Sequence, residues 1–182
     1  HYSMKRVTLK DKTFELFIPH KDIQAAIVDL GKRINEDYKD KETPLFLGVL
    51  NGAFMFMAEL MQQIDFTCEL SFVKLTSYMG TKSTGKISEL IGLTDNLGGR
   101  HIILVEDIVD TGNRIEHLLR WLVGHEPASV EVSTLLFKPD AYKKDLPIKY
   151  SAMSIPNDFI VGFGLDYDQL GRNLRDIYKI VE

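Results

Sequence analysis

The stretch that decides the fold is ILVEDIVDTGNRIEHLL, residues 103–119. It opens with a continuous apolar run, which is typical of a strand buried in a parallel sheet. The run ends in two acids, Glu106 and Asp107, and a third acid, Asp110, opens an Asp-Thr-Gly turn before a helical pattern begins. Like charges in a partly buried site resist joint ionisation, so this crowding has an energetic cost. The cluster therefore indicates either a solvated strand end with a helix-capping Asp or a binding site.

Strand and helix patterns alternate on both sides of this stretch. Strands are predicted over residues 45–50, 68–78, 101–107, 129–137, 158–167 and 176–181, an edge hairpin over 7–18, and helices over 21–38, 53–63 and after Gly112. This order predicts an α/β fold with a mostly parallel, twisted sheet and helices on both faces. The polar stretch 77–100 is too long for a plain connection and is predicted to be a functional loop.

Composition narrows the class of protein. The 182 residues are 45% apolar and 26% charged, which suits a single globular domain. We expect that domain to span residues 4–182, with residues 1–3 an expression remnant ahead of Met4. A net charge of −4 without a basic stripe argues against a nucleic-acid partner. The lone Cys68 favours a reducing cytoplasm, and the sequence contains no apolar run of membrane-spanning length.

The Asp-Thr-Gly turn indicates a phosphate site. Backbone N–H groups at the start of a helix, together with the positive end of the helix dipole, favour an anion. Carboxylates beside that site would repel phosphate unless they bind something else, such as sugar hydroxyls or a divalent cation. The residues are therefore consistent with a phosphorylated sugar, whose hydroxyls meet the acids and whose phosphate meets the turn.

LVEDIVDTG, residues 104–112, closely resembles the phosphoribosyl-pyrophosphate signature of type I phosphoribosyltransferases, and most of all their hypoxanthine-guanine branch. Four further segments resemble the same family: LNGAFMFMAEL (50–60), TSYMGTKSTGKI (76–87), LFKPDAYKKDLPIKY (136–150) and DFIVGFGLDYDQLGR (158–172). The resemblance implies transfer of ribose 5-phosphate from phosphoribosyl pyrophosphate to hypoxanthine or guanine, giving IMP or GMP and pyrophosphate. It also implies a small hood built from the chain ends and a mobile lid loop within 77–100.

The resemblance assigns roles residue by residue. Glu106 and Asp107 would hold the ribose hydroxyls, and Asp110 would be the general base for the purine N7 proton. The 5-phosphate would meet Asp110, Thr111, Gly112, Asn113 and Arg114. Pyrophosphate would meet Leu50, Asn51, Gly52, Ser77, Tyr78 and Arg172, with a cis peptide between Leu50 and Asn51. The purine would meet Lys138, Phe159, Ile160 and Asp166. Mg²⁺ is the implied cofactor, held at Glu106, Asp107 and Asp166.

Several of these residues have plainer interpretations. Asp110 is also a common helix N-cap, and Lys138 is also a solvated lysine before a turn proline. Phe159 is also a core aromatic, and Arg172 is also a surface arginine. Three positions depart from the family pattern, because many relatives have Lys at position 51, Ser or Gly at position 53 and Thr at position 114.

Three rival functions remain open. One is a phosphoribosyltransferase for xanthine or adenine, although Lys138 argues against adenine, which presents a donor at its 6-position. Another is an RNA-binding regulator that keeps the signature, and a third is a magnesium-binding signalling domain of flavodoxin-like type. The expected partners are phosphoribosyl pyrophosphate and a 6-oxopurine. The apolar helix 53–63 favours a homodimer or homotetramer.

Overall fold

The computed structural model describes residues 4–77, 85–91 and 97–181. Its elements, in chain order, are β1 Arg6–Leu9, β2 Lys12–Ile18, α1 His20–Tyr38, β3 Leu45–Leu50, α2 Phe54–Met61, β4 Glu69–Ser77, β5 Gly85–Ile91, β6 His101–Val109, α3 Asn113–Val123, β7 Ser129–Phe137, β8 Tyr150–Ser154, β9 Ile160–Val161 and β10 Ile177–Ile180. Among the described residues, no helix is both long and apolar enough to cross a membrane.

A six-stranded sheet forms the centre of the molecule. Its strand order is β5-β4-β3-β6-β7-β8, in which β5 is antiparallel to β4 and every other neighbouring pair is parallel. The mostly parallel sheet predicted from the sequence is confirmed. Because β3 and β6 are paired in the middle, the acidic end of β6 lies at the carboxyl edge of the sheet, where open α/β sheets bind ligands.

Helices cover both faces of this sheet, as predicted. Helices α1 and α2 share one apolar core with Ile103 and Val105 of β6. Helix α3 packs in a second core against the other face, with Ile102 and Leu104. Successive residues of β6 therefore alternate between two buried faces, which explains why the strand is continuously apolar.

The chain ends form a second, antiparallel sheet. Its strand order is β1-β2-β10-β9, so the predicted hood from the two termini is confirmed. Asp176, just before β10, is buried and accepts a 2.6 Å hydrogen bond from the backbone N–H of His20. This contact satisfies a donor at the start of α1, where Pro19 provides no side-chain cap.

Four local predictions need correction. Residues 85–91 are a strand rather than loop, because GKISELI pairs with β4 and forms the edge of the sheet. Strand β8 was not predicted, because YSAMS is short and mixed in polarity. The predicted strand 158–167 shrinks to two residues, since the backbone then turns with positive φ at 162–164. Helix α2 begins and ends inside the predicted range 53–63.

Candidate active site

The end of β6 and the start of α3 build the first part of the site. Glu106 is fully buried and Asp107 nearly so, while Asp110 is exposed. Gly112, at the N-cap position just before α3, adopts φ 93°, a left-handed conformation that suits glycine. No side chain caps this helix, so Asp110 is not its N-cap. The backbone amides of Arg114 and Ile115, in the first turn of α3, therefore remain available to an anion.

A cavity of about 240 Å³ lies over this turn. It is lined by Glu106, Ile108, Val109, Asp110, Thr111, Gly112, Arg114 and Ile115. Asn113 does not line it, although its backbone N–H donates to Thr111 Oγ1 at 3.4 Å. The segment after β7 supports the turn from outside, since the N–H of Lys143 donates to the Thr111 carbonyl at 3.0 Å.

A second cavity of about 210 Å³ adjoins the first. It gathers all four residues predicted to bind the purine, and it is lined by Asp107, Ile108, Asp110, Arg114, Lys138, Phe159, Ile160, Leu165 and Asp166. Lys138 is buried and its Nζ lies 3.4 Å from Asp110 Oδ2, so it is not a solvated lysine. The Phe159 side chain is 45% exposed, so it is not a core aromatic.

Arg114 pairs with both acids at the end of β6. Its Nε donates to Glu106 Oε2 at 2.7 Å, and its Nη2 donates to Glu106 Oε1 and to Asp107 Oδ1, both at 3.0 Å. Burial raises the pKa of Glu106, and the neighbouring charge of Asp107 adds to the increase, while Arg114 opposes both. The Glu106 carboxylate raises the pKa of Arg114 above its already high value, so the guanidinium remains charged.

A third segment, the loop after β3, closes against these acids. The peptide bond between Leu50 and Asn51 is cis, as predicted. Gly52 lies so close to Asp107 that a Cβ on it would fall 1.9 Å from Asp107 Oδ2. A Cβ on Gly164, whose φ is 101°, would fall 2.2 Å from the carbonyl oxygen of Gly52. Only glycine permits both of these approaches.

The turn that follows β9 is held by Arg172. Its Nη1 donates to the Gly164 carbonyl at 2.8 Å, and its Nη2 lies 3.4 Å from Asp166 Oδ1. The other Asp166 oxygen accepts from the backbone N–H of Gln169 at 2.8 Å. Arg172 is therefore partly buried and structural in this state, not a free surface arginine.

This arrangement matches a known family. A model of the phosphoribosyl transferase domain matches residues 19–168. The chain belongs to the phosphoribosyl transferase family. It is 38% identical over 171 residues to the hypoxanthine phosphoribosyltransferase of Salmonella typhimurium, covering 93% of this chain and 96% of that one. It is also 38% identical over 167 residues to the hypoxanthine-guanine phosphoribosyltransferase of Streptococcus pneumoniae, covering 91% and 92%.

Solved structures of the family agree. A crystal structure of a hypoxanthine-guanine phosphoribosyltransferase from Bacillus anthracis superposes with a TM-score of 0.83 at 33% identity, covering 92% of this chain and 98% of that chain. The α/β fold is thus that of the phosphoribosyl transferase family.

Not every predicted site residue is gathered around the two cavities. Ser77 is the last residue of β4, and Tyr78 lies outside the described residues. Neither cavity is lined by Leu50, Asn51, Gly52 or Arg172. Gly52 lies against Asp107, and Arg172 contacts Gly164 and Asp166. Within the described ranges, no three acids, histidines or cysteines form a cluster that holds a metal by itself, so Glu106, Asp107 and Asp166 are not such a trio.

Sequence reasoning missed two features of this phosphoribosyl transferase site. Ile108 and Leu165 line the second cavity, but apolar residues in strands and turns give no signal of such a position. The pairing of Arg114 with both acids was also missed. A signal was present, because two buried carboxylates require a cation, and Arg114 is the first one after them in the sequence.

Proposed function

We propose that this protein transfers ribose 5-phosphate from phosphoribosyl pyrophosphate to hypoxanthine or guanine, forming IMP or GMP and releasing pyrophosphate. The observation that carries the proposal is the pair of adjoining cavities that share Ile108, Asp110 and Arg114. One has a helix start suited to phosphate, and the other has a buried ammonium and an exposed aromatic ring suited to a 6-oxopurine. The names of the most similar relatives support the same purines.

The sugar phosphate occupies the first cavity in this proposal. The 5-phosphate accepts hydrogen bonds from the amides around Gly112 and from the Thr111 hydroxyl, with Asn113 and Arg114 nearby. The ribose hydroxyls donate to Glu106 and Asp107. These carboxylates also stabilise the positive charge that develops on the sugar as pyrophosphate leaves.

The purine occupies the second cavity. Lys138 donates to the exocyclic O6, a contact that disfavours adenine because an amino group would leave the buried ammonium unpaired. Phe159 stacks on the ring, while the Ile160 backbone and Asp166 meet its edge. Asp110 accepts the N7 proton as the new bond forms. The 3.4 Å distance between Asp110 Oδ2 and Lys138 Nζ supports these two roles, because N7 and O6 lie next to each other on one edge of a purine.

Pyrophosphate lies by the loop after β3 in this proposal. Leu50, Asn51 and Gly52 offer backbone groups and Arg172 offers a guanidinium fork, while Ser77 and Tyr78 are further proposed pyrophosphate contacts. Mg²⁺ typically keeps one or two protein carboxylates and takes its remaining ligands from phosphates and water. Asp107 and Asp166 line one cavity and fit that role, with Glu106 behind them. The ion supplies charge neutralisation to the leaving pyrophosphate.

We also propose a homodimer or homotetramer in the cytoplasm. Helix α2 exposes Phe54, whose side chain is 41% accessible, beside partly buried methionines, and such faces suit a subunit contact. The lone Cys68 carries a free thiol, which suits a reducing compartment.

The test is turnover of four bases followed by ultraviolet absorbance. With Mg²⁺ and phosphoribosyl pyrophosphate, we expect hypoxanthine and guanine to react, xanthine to react slowly and adenine not to react. Asp110→Asn should lower kcat by about 10²-fold or more, since general-base contributions are of this size. Asp29→Asn, at an exposed position on α1, is the matched control and should behave like the parent. Nucleotide binding without turnover of any base would favour the RNA-binding regulator instead.

A further inference from the structure

Arg114 is hydrogen-bonded to the two carboxylates that are proposed to bind the ribose hydroxyls. Three hydrogen bonds of 2.7–3.0 Å tie its guanidinium to Glu106 and Asp107. Glu106 is fully buried, and the side chain of Asp107 is 9% exposed, whereas that of Arg114 is 46% exposed. The guanidinium therefore stands between the carboxylates and solvent. A ligand that approaches the acids meets Arg114 first.

Arg114 lies between the proposed phosphate cavity and the proposed purine cavity. It lines both the cavity over the phosphate turn and the cavity with Lys138 and Phe159. A nucleotide that places its phosphate in one and its base in the other must pass its ribose between them. The ribose hydroxyls can then reach Glu106 only when the guanidinium has left it.

A departing guanidinium needs another anion. Arg114 is the second residue of α3, so its backbone belongs to the helix start that faces the proposed 5-phosphate site. A guanidinium binds phosphate oxygens as readily as it binds carboxylates, by the same paired N–H donors. Hydroxyl donors from the sugar would replace the hydrogen bonds that the two acids lose.

We propose that Arg114 is a specificity-determining residue, which covers the ribose site in the free protein and moves from Glu106 and Asp107 to the 5-phosphate when a nucleotide binds. The proposal rests on the proposed function. A 5-phosphorylated ribosyl ligand supplies both the anion that takes Arg114 and the hydroxyls that take the acids. A nucleoside supplies only the hydroxyls, so Arg114 disfavours it.

The test compares GMP with guanosine by titration calorimetry. The variants are Arg114→Thr and the matched control Arg120→Thr, whose arginine lies on the same helix, is 75% exposed and pairs with Glu116. Loss of the cover should tighten the binding of both ligands about tenfold, and loss of the phosphate contact should weaken the binding of GMP alone about tenfold. In Arg114→Thr, guanosine should therefore bind about tenfold more tightly while GMP affinity changes little, so the preference for GMP narrows about tenfold; in Arg120→Thr it stays at the parent value. An unchanged preference in Arg114→Thr overturns the proposal.

A second measurement needs no substitution at the site. In the ¹⁵N-arginine-labelled parent, the Nε–H resonance of Arg114 reports its bond to Glu106 directly. We expect this resonance to shift on saturation with GMP, and an unshifted resonance would show that Arg114 stays on the acids. Parent turnover is measured alongside. If the parent turns over purines while these tests fail, only the Arg114 proposal falls; if it neither binds GMP nor turns over, both fall.

Discussion

Gly52→Ala tests whether the loop after β3 positions Asp107. The added Cβ would lie 1.9 Å from Asp107 Oδ2 and 2.7 Å from its Cγ. The carboxylate would have to retreat by roughly 1.5 Å to reach ordinary van der Waals contact, which begins near 3.5 Å between heavy atoms. It is not free to do so without loss, because its other oxygen accepts from the Ile108 N–H at 2.8 Å and from Arg114 at 3.0 Å. A misplacement of about 1 Å lowers catalysis about 10²-fold, or ~2.7 kcal/mol in transition-state stabilisation.

The assay is the steady-state kcat/KM for guanine, with urea unfolding measured on the same preparations. We expect kcat/KM to fall about 10²-fold, as estimated above. The unfolding free energy should decrease by no more than about 3 kcal/mol, the upper end of the range for one hydrogen bond to a charged group. Gly124→Ala is the control, since its added Cβ meets its nearest neighbour at 3.4 Å and its φ of −61° suits alanine. Parent-like kcat/KM in Gly52→Ala would refute the reasoning, because it would show that this placement of Asp107 is unnecessary.

Three further predictions concern other parts of the molecule. Asp176→Ala should lower the unfolding free energy in urea by about 1–2 kcal/mol, because it removes the acceptor for the His20 N–H at the start of α1; an unchanged midpoint would contradict this. Lys138→Met should lower kcat/KM for both 6-oxopurines by about 10²-fold or more by removing the O6 donor, and equal turnover would exclude that contact. Burial raises the pKa of Tyr38 to about 12 from 10.0, so the folded state keeps its proton while the unfolded state loses it, and stability should fall as pH rises from 10 to 12. Tyr38→Phe should flatten that fall in urea titrations, whereas an unaltered slope would assign it to other groups.

The sequence was most informative where one continuous segment carries the signal. Strand β6, the turn and α3 follow each other directly in the chain. The apolar run, the acids and the glycine therefore predicted the strand, the site and the helix start from one segment. The hood was expected only by resemblance, because its strands come from opposite ends of the chain. Strands β5 and β8 gave weaker signals, since each is short or polar and lies at an edge of the central sheet, where it pairs with a single neighbour.

Side-chain partners were harder to predict than positions. The sequence predicted that Asp166 and Arg172 belong to the site. It did not predict that they form an ion pair, or that Arg172 donates a hydrogen bond to the Gly164 carbonyl. The approach of Gly164 to Gly52 is a backbone contact between segments more than a hundred residues apart. A glycine in the sequence indicates only conformational freedom. Which other segment packs closely against it, in the space a Cβ would fill, depends on the tertiary fold.

The three carboxylates at the end of β6 can now be explained in terms of their partners. Asp110 lies outside the buried pair and close to the Lys138 ammonium. Glu106 and Asp107 would repel each other and lose hydration, a cost that an arginine fork on both of them offsets. If Arg114 were bonded permanently to these two acids, we would expect its side chain to be buried as they are, yet it is 46% exposed. The two acids thus share one partly exposed cation, which is the arrangement expected of acids that exchange one partner for another during binding.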